Sequence, residues 1–420
     1  MTTYRAAPHM TTFRCLGSEC EDTCCQAWEI PISDDDVSRL TAAIGDAAAN
    51  DMVNRIPNGR GGEVVVLRKL PSGACTQLDE NQLCSLHARL GESVLPSICH
   101  SYPRAVGRLG EVVELTGRLS CPEVARQCLL SDEAPMVDSP LEPFGRIKIR
   151  LEVDPDGEVP YLTSFPLVRD ALVELSTSPG FSVASRLYFI AVLADRIGAF
   201  YRRDVTTHEP ERLAHELAEI KRPEVQAELH AKRGASSPMD GLALQLAQGL
   251  MYSRLDAAPA FARVAMLAAR THTEAAGLGG IGGGGDMLKV LSKIPPDLLW
   301  RHHMERRVNL GPAQTARIDQ YLERYCRSYW LQDWYPQSPA LLEHVMLLLL
   351  RVTLIKFLLI AHPALGPDTD PATTDRIAVD VVYAVSRAYD HNPSIREGLA
   401  NMLTKQHMLT VDHAAALLKL

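Results

Sequence analysis

FRCLGSECEDTCCQAWEIPIS, residues 13–33, sets Cys15, Cys20, Cys24 and Cys25 in the pattern C-x4-C-x3-C-C. Further out, cysteines return at Cys75, Cys84, Cys99, Cys121 and Cys128, and after those only at Cys326. A segment holding nine of the ten cysteines has a use for sulfur that the rest lacks: disulfides, metal or redox chemistry. Disulfides need an oxidising compartment, and the opening MTTYRAAPHMTTFRC lacks the apolar stretch of a secretory signal. The expected location is therefore cytoplasmic. A chain of 420 residues also builds ordinary cores without covalent staples.

Metal ligation is the leading account. Zinc sites usually show C-x2-C or mixed Cys/His spacing, and no C-x2-C occurs here. Iron–sulfur clusters are held by thiolates at varied spacing, often with one ligand from a distant segment, which favours iron–sulfur over zinc. Thiolates at 15, 20, 24, 25, 75, 84, 99 and 121 could fill two four-cysteine cages, or one cage plus a structural site. Neighbouring residues point differently, so Cys24 and Cys25 can serve separate sites or leave one unligated. Cys128 and Cys326 read as buried thiols.

Between the cysteines the local signals are short. Ser33 or Asp34 can cap a helix whose acidic first turn, with Asp35 and Asp36, suits the positive end of the dipole. NGRGGEVVVLRKL runs from a glycine turn into a strand at Val64–Leu67. CTQLDENQLC reads as a hairpin with Asp79, Glu80 and Asn81 at its tip, bringing Cys75 near Cys84. Leu86–Leu90 can form a helical turn stopped by Gly91, and a second hairpin turns at Gly110. SCPE reads as a helix start, with Ser120 as N-cap, Pro122 in the first turn and Glu123 as capping-box partner. Cys121 would then sit where backbone N–H groups favour anions.

Residues 131–144 read as a linker, followed by a short strand over 146–153 that can pair back with the cysteine segment. Helical spacing then dominates, over Phe181–Tyr201, 206–221, 238–254, 259–276, 312–330, Leu341–Ile360, 372–389 and 394–405. Glu343, His344, Arg351 and Lys356 interrupt the apolar 341–360 stretch, so it reads as a core helix and no membrane span is expected. The fold expected is mainly α: a small α+β cysteine-rich metal-binding domain at 1–135, a linker with a short strand at 136–160, and a larger all-α helical domain at 161–420. A net charge of −8 argues against a nucleic-acid partner. The glycines from Gly279 to Gly285 match neither a P-loop nor GxGxxG and read as a loop.

The run 13–33, with CTQLDENQLCSLHARLG (75–91), LPSICHSYPR (95–104) and LSCPEVARQCLL (119–130), resembles the cysteine-rich region of the flagellin lysine-N-methylase family. LERYCRSYWLQDWYP (322–336) and LLRVTLIKFLLIAH (349–362) are similar to that family's carboxy-terminal part. The resemblance implies an enzyme that moves a methyl group from S-adenosylmethionine to a lysine side-chain amine. It also implies an oxygen-sensitive [4Fe-4S] cluster, one or two per chain, with Cys15, Cys20, Cys24, Cys25, Cys75, Cys84, Cys99 and Cys121 carried over as ligands. Neither a Rossmann glycine fingerprint nor the C-x3-C-x2-C triplet of radical enzymes is present.

A lysine amine is charged at neutral pH and cannot attack until it loses a proton. Glu21 and Asp22 within the first knot, and Tyr102 just after Cys99, are the candidate catalytic groups for that step. His87 and His100 are secondary ligand candidates beside cysteines, and Trp28, Tyr325 and Trp330 could line an amine pocket by cation–π contact. The expected partner is a flagellin-like protein lysine. An amine-bearing small molecule acted on by the same cluster, or a non-enzymatic zinc- or iron-binding module, are the alternatives.

Overall fold

The computed structural model describes residues 2–420 apart from 27–28, 58–61, 132–135, 140–146, 148, 256–257, 279–293 and 392. Trp28 and the Gly279–Gly285 run lie outside the described residues. Helices predominate, and the strands belong to the amino-terminal part: β1 (Thr3–Ala6), β2 (Val53–Pro57), β3 (Glu63–Leu67), β4 (Arg104–Leu109), β5 (Val112–Gly117), β6 (Val137–Asp138) and β7 (Ile149–Val153). The fold is thus mainly α with a small α+β part, as the sequence predicts.

Five strands make one sheet, in the order β6-β1-β5-β4-β7. Its centre is the expected hairpin, β4 against β5 with Arg104 opposite Gly117 and Leu109 opposite Val112, turning at Gly110 with φ +54°. β7 joins β4 in parallel, which realises the expected pairing of the linker strand with the cysteine segment. β1 lies parallel to β5 on the other side. Its TYRA has no period to announce a strand, and only the free edge of β5 makes it one. β2 and β3 form a separate antiparallel ribbon.

Two apolar cores result. The smaller gathers Ile30, Ile32, Leu40, Met52, Val65, Leu67, Leu86 and Leu95, with Cys75 inside it and Cys25, Cys84 and Cys99 packed against it. Ser33 caps the Asp34–Ile44 helix with a full capping box to Asp36. Asp36 also accepts from the Ser97 backbone N–H (2.9 Å) and hydroxyl (2.8 Å), and so ties that helix to the Ser97–Ser101 helix that carries Cys99. These bonds outweigh burial and hold the Asp36 carboxyl below its usual range.

The larger core runs from Ala7 through the helical half to Leu420. At its centre the Leu341–Ile360 helix buries every residue except Glu343 and Lys356. Neighbouring helices surround it, chiefly Val183–Ile197, Leu242–Ser253 and Pro371–Tyr389. Among the described residues no helix is long and apolar enough to cross a membrane. Arg351 within it is neutralised by Asp390, Nε to Oδ1 3.1 Å. Helices at Pro223–Gly234, Pro296–Asn309 and Val411–Leu417 were not singled out by their sequence patterns. The first two bury only a few side chains on otherwise polar surfaces, which blurs the 3.6-residue period.

The sheet is bound to the helical half by close packing and by one buried ion pair. Gly107 on β4 leaves room for the Trp334 indole, which a Cβ there would meet at 2.5 Å. Glu114 on β5 receives both Nη atoms of Arg169, at 2.5 and 2.9 Å, with both side chains almost fully enclosed. Removing one partner of such a pair strands the other charge, at a cost of about 3–5 kcal/mol. Arg169→Met should therefore lower the unfolding free energy by about that much in urea melts, whereas Asp170→Asn, on an exposed neighbour, should leave it nearly unchanged.

Behind that seam, His272 and His303 stack on Phe357 with ring centroids 5.4 and 5.1 Å away. Burial, with Arg306 nearby, holds His272 down to about 4, and burial holds His303 well below its usual value. The unfolded chain protonates both near pH 6.5 while the folded chain does not, so stability is present above pH 6.5 and is lost as pH falls toward 4. The loss amounts to about 1.4 kcal/mol per pH unit for each histidine. Denaturant titrations at stepped pH should show that slope, and His272→Leu should flatten it.

Candidate functional site

All ten cysteines are free thiols. Cys25, Cys75, Cys84 and Cys99 meet at the small core. The Cys75 backbone N–H donates to the Cys25 carbonyl at 2.8 Å, and flanking bridges pair Gln26 with Ala74 and Lys69 with Cys75. From Cys75 the chain folds back through the expected turn. Asp79 accepts from the N–H groups of Asn81 and Leu83, both at 2.9 Å, and Leu78 bridges to Cys84. Burial pushes the Cys99 and Cys84 thiols up, and the charges of neighbouring cysteines add to it.

Cys121 belongs instead to the core of the helical half, and Cys24, its sulfur 4.0 Å from that of Cys25, lies between it and the first group. The Gly17 N–H donates to Cys15 Sγ at 3.4 Å, and the one-turn helix Gly17–Glu19 delivers Cys20. Glu21 pairs with Arg126 of the Pro122–Leu130 helix, which brings the knot against Cys121. Arg387, from the Pro371–Tyr389 helix, completes the arrangement. It donates to the Thr23 carbonyl at 2.9 Å and the Ser120 carbonyl at 3.2 Å, with Asp22 Oδ2 3.5 Å from Nη2. The residues preceding Cys24 and Cys121 are thereby held by one guanidinium.

The helix start differs from the sequence expectation. Cys121 itself is the N-cap of the Pro122–Leu130 helix and no side chain caps it. Glu123 turns to Arg126 and Gln127, and the Ser120 hydroxyl is taken by Tyr102 (3.1 Å) and His391 Nε2 (2.6 Å). Tertiary partners won over the local capping box. Burial raises the Cys121 thiol to about 12, and the N–H groups of Val124 and Glu123 offset only part of that.

A cavity of about 1000 Å³ opens beside this seam. Ile98 and Pro31 wall it on the cysteine side, and Arg118, Asp333, Asp390 and His391 are among its polar lining. Arg118 Nη1 lies 3.3 Å from Asp333, which keeps that carboxyl low against the effect of burial. Burial, helped by Arg118 and Arg387, lowers His391 to about 3, so its ring is neutral. A second cavity of about 760 Å³ lies beyond Glu21 and Arg126.

The three candidate catalytic groups are therefore placed differently. Glu21 faces the second cavity, paired with Arg126. Asp22 sits against Arg387, its carboxyl raised by burial. Tyr102 leads through Ser120 to His391 in the larger cavity. Of the secondary candidates, His87 is exposed, and His100 Nδ1 lies 4.0 Å from Glu92. Tyr325 and Trp330 are core residues, Trp330 donating to Ser176 at 2.8 Å. Sequence reasoning missed Arg387, His391, Arg118 and Asp333. The first two carry no local signal, since ordinary helix-end polarity accounts for SRAYDH as well.

Among the described residues no three His, Cys, Asp or Glu side chains are drawn tightly enough around one point to grip an ion. The donor type is one that holds iron or zinc all the same: eight reduced cysteines between Cys15 and Cys121, Cys75 bonded through its N–H to the Cys25 carbonyl, with Lys69 and Arg387 close by. Where the thiols of Cys20, Cys25, Cys84, Cys99 and Cys121 are raised, that of Cys24 is lowered. A hydrogen bond from Cys25, with sulfurs 4.0 Å apart, and the Arg387 charge lower its thiol to about 7. In metal-free protein, Cys24 should be alkylated ahead of Cys25, Cys99 and Cys121, with a half-maximal rate near pH 7. Arg387→Met should move that midpoint upward in mass-spectrometric mapping.

Comparison with known proteins matches two stretches of the chain. Residues 14–124 match a domain with the CxxCxxCC label, proposed to chelate zinc or iron, and residues 169–417 match the FliB lysine N-methylase C-terminal domain. A flagellar biosynthetic protein, FliU, of Salmonella muenchen is 34% identical over 132 residues, which is 30% of this chain and 76% of that protein. Lysine-N-methylases of Salmonella choleraesuis and Salmonella typhimurium are 35% and 34% identical over 132 residues, covering 30% of this chain and 32% of each of them. No solved structure matches. With the C-terminal domain accounting for more than half of its length, the chain belongs to the FliB lysine N-methylase family.

Proposed function

We propose that this protein methylates a lysine side-chain amine, with S-adenosylmethionine as donor and a thiolate-held [4Fe-4S] group beside the reaction. The observation that carries the reading is the cavity of about 1000 Å³ whose wall is shared by the cysteine region, through Ile98 next to Cys99, and by the charged ends of the helical half. A flagellar protein is the first choice of acceptor, because relatives are named lysine-N-methylase and flagellar biosynthetic protein.

Transfer of the methyl group forms a C–N bond from the amine lone pair, and the sulfonium keeps the C–S electron pair to become a thioether. No oxidant or reductant is consumed. The amine must be neutral to attack, and burial in the cavity disfavours its charged form. Tyr102, through the Ser120 hydroxyl, connects this space to the cysteine seam and is the best placed of the three candidates to relay the departing proton. Asp333 and Arg118 offer one charge of each sign, which suits the carboxylate and ammonium of the donor's amino-acid end. When bound, the iron–sulfur group supplies a site at which the donor can be held or activated, with Cys15, Cys20, Cys24, Cys25, Cys75, Cys84, Cys99 and Cys121 as its ligand pool.

Anaerobic incubation of metal-replete protein with methyl-labelled donor and flagellin, lysine peptides or small amines tests this. Label should enter lysine side chains, and Tyr102→Phe should lower kcat by about 100-fold with little change in KM. No transfer to any acceptor by protein with its metal intact would overturn the reading.

A further inference from the structure

We propose that Arg150 anchors the carboxylate of the methyl donor while Asp333 takes the donor's ammonium, which makes Arg150 the residue that selects a donor carrying its full amino-acid end. The assignment rests on the reading of the cavity of about 1000 Å³ as the place of methyl transfer, and adds to it the direction in which the donor lies.

Among the described residues four arginines line that cavity, and three of them are already engaged. Arg118 Nη1 lies 3.3 Å from Asp333, and Arg351 Nε lies 3.1 Å from Asp390. Arg396 donates to Gln337 Oε1 and Ser338 Oγ, both at 2.8 Å. The fourth is Arg150, whose guanidinium has no acceptor within bonding distance among the described residues. It stands on β7, at the edge of the sheet, and its exposed side chain lines the cavity. The sheet fixes this neighbourhood. Leu151 pairs with Gly107 of β4, the residue whose missing side chain admits the Trp334 indole, so Asp333 is delivered beside β7. Arg118 follows directly on the end of β5. Three charged groups from three elements therefore meet at one end of the cavity.

Charge at that end is out of balance, with two guanidiniums against one carboxylate. Burial lowers the Arg150 pKa, Arg118 adds to that effect, and Asp333 offsets only part of it. His391 records the same surplus: it is lowered by burial and then by Arg118, Arg387 and Arg150, with Asp333 opposing them. A guanidinium stays charged under such conditions, so relief comes from an added anion. An amino-acid end supplies one. With its carboxylate on Arg150 and its ammonium on Asp333, charges alternate in sign from Arg150 through the ligand to Asp333 and Arg118. Without Arg150 the carboxylate would have to compete with Asp333 for Arg118. A guanidinium also matches a carboxylate in shape, through two parallel charge-assisted bonds.

Isothermal titration of anaerobically reconstituted full-length protein reads the assignment without turnover. The ligands are S-adenosylhomocysteine, the thioether product, and its decarboxylated analogue, which keeps the amine. Wild type should bind the first about tenfold more tightly. Arg150→Met should bind both alike, at the wild-type affinity for the analogue, and Arg150→Lys should restore part of the preference. Arg108→Met, at an exposed arginine of the neighbouring strand, should keep all of it. Comparing two ligands on one variant cancels any general loss of affinity. Because Arg150 has no partner among the described residues, the urea midpoint of Arg150→Met should match wild type; should it fall, Arg150→Gln takes its place with the same expectation. A preference for the carboxylate that survives in a folded Arg150→Met or Arg150→Gln variant overturns the assignment and marks Arg150 as a solvated edge residue. Equal binding of the two ligands by wild type overturns it as well. Wild type that holds its metal and binds neither ligand overturns the donor reading of the cavity itself. Binding as expected, with no methyl transfer to any acceptor, would sink the proposed reaction and leave the anchor standing.

Discussion

The guanidinium of Arg387 is buried between two parts of the chain that have separate reasons to fold. Its side chain is 2% exposed, and it reaches from the end of one helix to two backbone carbonyls and a carboxylate beside the cysteines. A charge in such a place is tolerable only when its donors are satisfied and counter-charge is near. Asp22, with the lowered thiol of Cys24, supplies that counter-charge, and against burial the Arg387 pKa stays above its usual value. The position of the cysteine knot relative to the helices is therefore not free: moving it would leave a cation stranded in a low-dielectric seam.

From that constraint the rest of the site follows. With Ser120 held by Arg387 through its carbonyl, its hydroxyl is aimed at Tyr102 and His391, and the cavity wall forms around them. The same seam is reinforced from the sheet side by Glu114 with Arg169 and by Trp334 lying on Gly107. These contacts fix the sulfur-bearing segment and the charged helix ends to one another. A transfer reaction that needs donor and acceptor in register gains from such rigidity, since misplacement by an ångström costs rate steeply.

Much of this was legible in the chain as a string. The density of cysteine before residue 130 sets that segment apart, and residues 14–124 are the part that matches a domain proposed to chelate zinc or iron. Helical spacing marks the larger half, and Gly91, Gly110 and Ser33 act where turn and cap chemistry says they should. Ser120 shows the limit. Its motif spells a capping box, but a hydroxyl within reach of a tyrosine and a histidine brought from elsewhere in the chain makes those bonds instead.

What the sequence determined by itself was therefore composition-bound and local: a mainly α fold, a cysteine-rich α+β beginning, and a pool of eight thiols. Tertiary structure decided which thiols are neighbours, that β1 becomes a strand, and that Arg387, His391, Arg118 and Asp333 stand at the site. The physical reason is separation. Arg387 meets Thr23 across 364 positions and Ser120 across 267, and no pattern of neighbouring residues encodes a contact whose two halves are brought together only when both cores have closed.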